Sequence, residues 1–328
     1  MQTPKLFAKL PSYVCTPDGM AIDKEGNLIL SCPNYADKTM QGCLLIIDKD
    51  KKIEKWVDVP SLQETGLAHP MGIAFGPDFD IYICDNQGWS GSSELMFKGR
   101  ILRLKVEDRK LVKTTVVAYG MEHPNGIRIR ENFMYVTQSA LSKVKDPSGL
   151  LVSCVYKFSL DDENIKVTNT LQDKNILTTF ITLNEECQYG ADGIEFDKDG
   201  NLYVGNFGDG AVHKITFNVD GSVKENKVWA KDPKELQTTD GMIMDDNGNL
   251  FIADFSANAI AKVSPTGIVT RIAQSPDTDG FNGELDQPGE PIIWMGKLVV
   301  SCFDLVTGPD KVNTKHEMPA TLSELELV

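Results

Sequence analysis

The 328-residue sequence is poor in several features that mark particular protein classes. It has no run of about 18 apolar residues and no apolar signal-peptide core near its start. We therefore predict no transmembrane helix and no export, and we expect a cytoplasmic location. Its seven cysteines are scattered without a CxxC pair, which argues against a disulfide framework or a zinc ribbon. Most of them should be reduced, buried small hydrophobic residues.

Basic residues are also scarce relative to acidic ones. The chain carries 33 Lys and Arg against 47 Asp and Glu, a formal net charge of -14. Such a surface repels phosphate backbones and anionic lipids, so we expect no nucleic-acid partner and no membrane partner. The same excess of carboxylates favours cations. A small molecule is the expected substrate, and the oligomeric state is left open.

An internal repeat organises the chain. Six segments resemble one another, and each contains a short strand, a tight turn and a second strand; several turns are of Asp-x-x-Gly-Asn type, and those of the third and sixth segments are two residues shorter. The turn is clearest at Asp23–Asn27, Asp197–Asn201 and Asp245–Asn249. The segments begin at Pro17, Pro70, Pro124, Ala191, Thr239 and, more divergently, Gly289.

A third strand follows each pair, and a fourth is clearest in IEKWVDVP from Ile53. Amphipathic helical stretches are almost absent. We therefore predict an all-β fold, a six-bladed β-propeller, formed by a single domain over residues 1–328. KLFAKLPS from Lys5 should complete the last blade beside ATLSELELV from Ala320 and close the ring. The extra residues between Asp161 and Tyr189 are expected to lengthen blade three as a lid or an oligomer contact.

Oxygen-bearing side chains recur at one position of the repeat, at the start of the innermost strand. Because innermost strands surround the axis of a propeller, these side chains should meet at one mouth of its channel. Oxygen ligands favour Ca²⁺, while Mg²⁺, Mn²⁺, Zn²⁺ and Fe²⁺ remain open. The alternative is that each Asp or Asn before glycine only bonds its own backbone in a turn. The position holds Asp18, Met71, Asn125, Asp192, Asp240 and Glu290.

The repeat pattern, and most specifically TTDGMIMDDNGNLFIADFSANAIAKVSPTG, resembles the senescence-marker-protein/gluconolactonase family, which includes regucalcin and sugar lactonases. That resemblance implies a divalent ion held by residues from blades one, three, four and five. By position these are Asp18, Asn125, Asp192 and Asp240. Asp18 is shorter than the glutamate of the family, and Asp192 is charged where the family has an amide. Three carboxylates on one divalent ion would leave a local net charge of minus one, so one of them would lie outside direct contact with the ion, be protonated or act as the general base. Asp240 or Asp192 is the candidate base.

The resemblance implies a metal-dependent hydrolase that opens lactones, with the ion polarising the carbonyl group and a carboxylate activating water. His123 is a candidate proton shuttle in this reaction. The remaining candidates are expected to contact substrate, either near the mouth or in the two longest mouth-side loops. They are His69, Trp89, Glu290, Phe303 and His316.

Other functions remain open at this stage. The same metal site would suit a phosphotriesterase or an arylesterase with a different pocket lining. A propeller without catalytic activity would present its surface to a protein partner. A purely structural calcium ion and a lyase on the same scaffold are further alternatives.

Overall fold

The computed structural model describes residues 1–88, 93–308 and 312–327. Within these ranges the chain is almost entirely β-structure, and the only helical segments are two short 3-10 turns, Phe207–Asp209 and Phe255–Ala257. The strands in chain order are β1 (Lys5–Lys9), β2 (Met20–Ile22), β3 (Leu28–Cys32), β4 (Cys43–Ile47), β5 (Ile53–Asp58), β6 (Pro70–Phe75), β7 (Ile81–Asp85), β8 (Gly99–Glu107), β9 (Lys110–Met121), β10 (Pro124–Arg130), β11 (Phe133–Gln138), β12 (Val152–Ser159), β13 (Ile165–Lys166), β14 (Ile176–Ile181), β15 (Ala191–Phe196), β16 (Leu202–Asn206), β17 (Ala211–Phe217), β18 (Val223–Lys231), β19 (Met242–Met244), β20 (Leu250–Asp254), β21 (Ala259–Val263), β22 (Val269–Gln274), β23 (Pro288–Trp294), β24 (Lys297–Cys302) and β25 (Thr321–Glu326).

These strands form six antiparallel blades, and the predicted six-bladed β-propeller fold is confirmed. Two compact units divide the chain. The first unit, Met1–Pro70 with Asp232–Val328, contains blade one (β2–β5), blade five (β19–β22) and blade six (β23–β25 with β1). The second unit, Met71–Lys231, contains blade two (β6–β9), blade three (β10, β11, β12 and β14) and blade four (β15–β18).

The N-terminal strand completes the last blade, as predicted. β1 pairs antiparallel with β25, with Lys5 opposite Glu324 and Lys9 opposite Thr321. From this strand Phe7 enters the core of the first unit and packs edge-on against Trp294 at 5.8 Å between ring centroids. Blade six is therefore built from residues near both ends of the sequence.

The segment between Asp161 and Tyr189 differs from the prediction. It adds the short strand β13 to blade two, where β13 pairs parallel with β9, and then supplies β14 as the fourth strand of blade three. Eight residues of the segment, two in β13 and six in β14, therefore belong to the sheets of blades two and three, and a role of the rest as a lid or an oligomer contact stays a prediction.

Burial explains the pattern of apolar residues in the strand sequences. The second strands of four blades, β3, β7, β16 and β20, are buried at every position. Strands that are covered on both faces have continuous apolar sequences, whereas the outer strand β5 combines exposed, half-buried and buried side chains. All seven cysteines are free thiols, and six of them are buried.

The hairpin turns follow the predicted chemistry. In blade one, Asp23 Oδ1 accepts hydrogen bonds from the amides of Glu25 at 2.9 Å and Asn27 at 2.8 Å. Gly26 then adopts a φ of 82°, which side chains disfavour. Asp197 and Asp245 make the corresponding bonds in blades four and five.

Among the described residues, no helix is long and apolar enough to cross a membrane.

Candidate functional site

In the first unit, Asp18 and Asp240 take equivalent places at the start of an innermost strand. The Asp18 amide donates to the Ser31 carbonyl at 2.9 Å, and the Asp240 amide donates to the Ala253 carbonyl at 3.0 Å. The innermost strands of blades five and six touch directly, since the Gly241 amide donates to the Gly289 carbonyl at 2.9 Å. Asp240 Oδ1 also accepts the Gly241 amide at 2.9 Å, which fixes its carboxylate against the backbone.

Blade six is offset by one residue from the predicted alignment. Pro288 pairs with Cys302 as Pro124 pairs with Gln138 in blade three, so Gly289 is the equivalent of Asn125. The amide of Glu290 binds the Ser301 hydroxyl as the amide of Gly126 binds Thr137. Glu290 therefore takes the place of the glycine that follows the recurrent position in the other blades.

The Glu290 carboxylate nevertheless lies near Asp18 and the Asp240–Gly241 backbone. Glu290 raises the pKa of Asp18, and its Oε2 fills the space beside Gly241 that a Cβ atom would need. Asp18 Oδ1 lies 3.0 Å from the position of a Cβ atom built on Gly289. Asp18, Glu290 and the Asp240–Gly241 backbone thus meet in the first unit.

Asp18 lies in an electrostatically unfavourable position. Its side chain is only 6% exposed. Burial, followed by the nearby Glu290 carboxylate, raises its pKa to about 8, and a hydrogen bond from the Gly19 backbone opposes this rise. An anion so placed is unfavourable unless a cation or a proton compensates its charge.

An aromatic group adjoins Asp18 in the first unit. The His69 ring stacks on the Tyr35 ring, with 4.4 Å between the ring centroids. The centroid of the Phe303 ring lies 6.3 Å from that of Tyr35 and 6.0 Å from that of Phe255. Both Phe303 and Asp18 lie close to Gly289. A Cβ atom built on Gly289 would lie 3.9 Å from Phe303 Cβ and 3.0 Å from Asp18 Oδ1. The structure therefore brings together two predicted substrate residues, His69 and Phe303, beside a predicted metal ligand.

Sequence reasoning missed Tyr35 and Phe255, which connect this aromatic group. Tyr35 follows the second strand of blade one in CPNY, and Phe255 follows the corresponding strand of blade five. An aromatic residue just after a second strand was the available signal. His69 is held by its Nδ1 atom, which lies 2.7 Å from the Pro33 carbonyl oxygen.

In the second unit, Asn125 and Asp192 begin neighbouring innermost strands and are 6% and 3% exposed. Thr137 connects the two strands, because its hydroxyl accepts the Gly126 amide at 2.8 Å and donates to the Asp192 carbonyl at 2.6 Å. Gly126 permits this approach, since a Cβ atom there would lie 2.7 Å from the Asp192 oxygen. The unit brings these two predicted ligands together.

His123 stands two residues before Asn125. Its ring faces Tyr189 edge-on at 6.1 Å, and its Nδ1 atom is buried without a hydrogen-bond partner among the described residues. Burial lowers the pKa of His123 to about 4. The ring is therefore neutral at physiological pH, as a proton acceptor must be.

The remaining predicted residues lie elsewhere or are not described. His316 Nδ1 lies 2.5 Å from the Asp304 carbonyl oxygen, in the loop between β24 and β25. Hydrogen bonding to Asp304 raises the pKa of His316. Trp89 lies outside the described residues. His213 is inside β17, and its Nδ1 lies 2.9 Å from Asn226 Oδ1 in the neighbouring strand β18.

The donor set of the first unit fits a divalent cation. Asp18, Asp240 and Glu290 offer only oxygen atoms, which are the ligands of hard cations such as Ca²⁺. A cation would also compensate the unfavourable burial of Asp18 beside a second carboxylate.

No protein-family model and no curated protein sequence matches the chain. Several solved structures are similar to it in fold. A gluconolactonase from Xanthomonas campestris is 15% identical, with a TM-score of 0.62 over 100% of this chain and 96% of that one. A calcium-binding protein, regucalcin, from Agrobacterium tumefaciens is 13% identical, with a TM-score of 0.61 over 98% and 92%.

The fold also occurs with other chemistry. A PQQ-bound aldose sugar dehydrogenase from Streptomyces coelicolor is 15% identical, with a TM-score of 0.64 over 99% and 98% of the two chains. The likeness to these three proteins establishes the fold of this chain. Its function must be argued from its own residues.

Proposed function

We propose that the protein is a divalent-metal-dependent hydrolase that opens lactones, either sugar lactones or related cyclic esters. The observation that carries the proposal is the burial of Asp18 beside the Glu290 carboxylate at the start of the innermost strands. Two adjoining acidic groups, one of them 6% exposed, are a costly arrangement for a fold to keep without a cation. The gluconolactonase and the regucalcin of the same fold support both the substrate class and the ion.

Asp18 and Asp240 are the ligands that the first unit would supply. Asn125 and Asp192 in the second unit stay predicted ligands on the strength of the repeat. When bound, a divalent ion supplies Lewis-acid polarisation of an ester carbonyl. Ca²⁺ is the ion that the oxygen donors favour.

Asp240 is the proposed general base. Its Oδ1 is held by the Gly241 amide at 2.9 Å, so the carboxylate keeps one orientation relative to the strand. A carboxylate fixed in this way accepts a proton from water as the water attacks the carbonyl carbon. Asp192 and His123 are the alternative proton acceptors, and His123 is neutral at physiological pH because burial lowers its pKa to about 4.

Within the aromatic group, Tyr35 is half-buried, whereas His69, Phe255 and Phe303 are only 8%, 8% and 2% exposed. Tyr35 would therefore offer its ring to a sugar or aryl ring of the substrate, and the buried rings that pack against one another would hold it in place. Such a surface orients a ring without reacting with it.

The test is elemental analysis of the purified protein, followed by a proton-release assay over sugar, aliphatic and aromatic lactones with and without chelator. Phenyl acetate and a phosphotriester test the other hydrolase functions on the same site. We expect lactone hydrolysis that chelator abolishes and Ca²⁺ restores.

Two variants locate the activity. Asp18→Asn should lose metal-dependent turnover, and Asp240→Asn should lower kcat by at least about a hundredfold, the usual contribution of a positioned base. Asp246→Asn, at an exposed turn position, is the matched control and should behave as the wild type. Full turnover by Asp240→Asn with unchanged metal content would contradict the assignment of the base.

A further inference from the structure

Three carboxylates meet in the loops of blade six. Asp286 lies just before β23, Asp304 just after β24, and Glu317 shortly before β25. One oxygen atom from each lies within 4.8 Å of the other two. Asp286 and Asp304 are almost fully buried, at 1% and 3% exposure, and Glu317 is half-buried.

Buried oxygens of this cluster lack the hydrogen bonds that buried polar atoms normally make. Asp286 Oδ1 and Glu317 Oε2 are both inaccessible to solvent, and neither has a hydrogen-bond partner among the described residues. Leaving a buried acceptor without a hydrogen bond is unfavourable, and more so for a charged group. His316 Nδ1 lies 3.2 Å from Asp304 Oδ2, so this ring is a cationic neighbour of Asp304 when it is protonated. Asp286 Oδ1 and Glu317 Oε2 still lack a partner among the described residues, and a bound cation would supply one.

Blade one shows how the same place is filled without charge. Cys15 lies three residues before Asp18 and Asn34 two residues after Cys32, as Asp286 and Asp304 lie relative to Gly289 and Cys302. Asn34 and Asp304 share a left-handed backbone, with φ of 56° and 45°.

In blade one the pair closes on itself. Asn34 Oδ1 accepts the Cys15 amide at 3.0 Å, and Asn34 Nδ2 donates to the carbonyls of Tyr13 at 3.2 Å and Gln41 at 3.0 Å. Blade six replaces this neutral, satisfied pair by two carboxylates and adds a third. The fold itself therefore does not require acidic residues here.

The loop between β24 and β25 holds Asp304 in position. Asn313 Nδ2 donates to Asp304 Oδ1 at 3.0 Å, and the Glu317 amide donates to Asp304 Oδ2 at 2.7 Å. The second bond also places the Glu317 side chain beside Asp304. Burial and the neighbouring carboxylates of Asp304 and Glu317 raise the pKa of Asp286 to about 8.

We propose that Asp286, Asp304 and Glu317 bind a second divalent cation, Ca²⁺, which ties the loop between β24 and β25 to the start of β23. Calcium lies about 2.3–2.6 Å from its oxygen ligands, so two ligands of one ion are at most about 5 Å apart. The 4.8 Å limit on the three oxygens fits one ion at their centre. This site is independent of the proposed lactonase activity.

The competing explanation is a proton shared among the three carboxylates, and calcium titration decides between the two. Chelator-treated wild type, Asp286→Asn and Asp18→Asn are titrated with CaCl₂ by calorimetry, and thermal unfolding midpoints are measured with and without calcium. Asp286→Asn is chosen because Asp286 Oδ1 has no hydrogen bond to lose among the residues that the structure describes. Asp246→Asn is the control for loss of one acidic side chain.

We expect Asp286→Asn to lose one bound calcium per chain that Asp18→Asn and Asp246→Asn retain. We also expect it to lose part of the calcium-dependent rise in unfolding midpoint. Glu317→Gln repeats the test at the half-buried ligand, should Asp286→Asn fail to fold. Unchanged calcium stoichiometry in the folded variants, with a higher midpoint in the absence of calcium, would overturn the proposal in favour of a shared proton.

The outcomes separate this site from the proposed lactonase site. If only the lactonase site failed, the wild type would bind one calcium and Asp286→Asn none. If only the blade-six site failed, Asp18→Asn alone would lose calcium.

Discussion

The side chain of Glu290 occupies the space that a Cβ atom on Gly241 would need. The backbone is equally close, because the same Cβ position lies 2.7 Å from the Gly289 carbonyl oxygen and 2.8 Å from Glu290 Cα. The glycine after the recurrent aspartate in blade five is therefore what allows the innermost strands of blades five and six to touch. It also lets the Glu290 carboxylate reach toward Asp18.

Gly241→Ala should destabilise the protein and displace Glu290. Overpacking of a close contact typically costs about 1–3 kcal/mol, which urea unfolding measures. Glu290→Ala in the same background should recover only part of the loss, because the contacts with Gly289 and Glu290 Cα are backbone contacts. Complete recovery would show that the side chain alone sets the spacing of the strands.

Tyr35→Leu should weaken substrate binding more than turnover. The variant removes the ring that stacks on His69 and neighbours Phe303. Aromatic contacts are worth about 0.5–1.5 kcal/mol, so KM for an active lactone should rise by about twofold to tenfold while kcat changes little. Tyr13→Leu, at a 37% exposed position of the same unit, is the control. A fall in kcat with unchanged KM would contradict a role in binding.

His123→Gln should flatten the acid limb of the stability profile. The folded protein keeps His123 neutral down to a pKa of about 4, whereas the unfolded chain protonates it near 6.5. The unfolded state therefore binds more protons between these values, and wild-type stability falls as pH drops from about 6.5 to about 4.

At about 1.4 kcal/mol per pKa unit, the difference between wild type and variant should reach at most about 3 kcal/mol at pH 4. Urea unfolding at a series of pH values measures it. Parallel profiles would show that His123 is protonated within the folded protein.

Phe7→Ala should be among the most destabilising substitutions near the N-terminus. Phe7 is 6% exposed and packs on Trp294, and truncating a buried phenylalanine typically costs about 3–5 kcal/mol. Ile268→Ala, at a 66% exposed position of the same unit, should change stability by less than about 0.5 kcal/mol. A small effect of Phe7→Ala would mean that β1 contributes little to blade six.

The blades could be predicted from the sequence because their signals are local and repeated. The Asp-x-x-Gly-Asn turns set the hairpins, and the apolar runs mark strands buried on both faces. The pairing of β1 with β25 followed from the incomplete last repeat. Each of these features depends on a few adjacent residues, which a sequence displays directly.

The one-residue offset in blade six shows where repeat alignment was insufficient. The sequence interpretation assigned the recurrent position of blade six to Glu290 because its side chain is acidic. Strand pairing instead aligns Gly289 with Asn125. A proline precedes the recurrent position in blades one, two and three, and Pro288 precedes Gly289 in the same way. That proline was the better marker of register.

The aromatic group and the carboxylates of blade six could not be predicted. Tyr35, Asp304 and Glu317 lie in loops between strands, where no periodicity relates sequence to position. Their contacts depend on how long connections return to the sheets. Only the three-dimensional structure places them together.

The pairing of β1 with β25 has a consequence for the order in which the molecule is built. Gln2 and Glu326 bond each other although 324 positions separate them. On a ribosome, β1 is made among the first strands, yet its partner appears only after all the other blades. The edge of β1 that pairs with β25 must therefore remain unpaired until β25 has been made, and blade six is assembled late in folding.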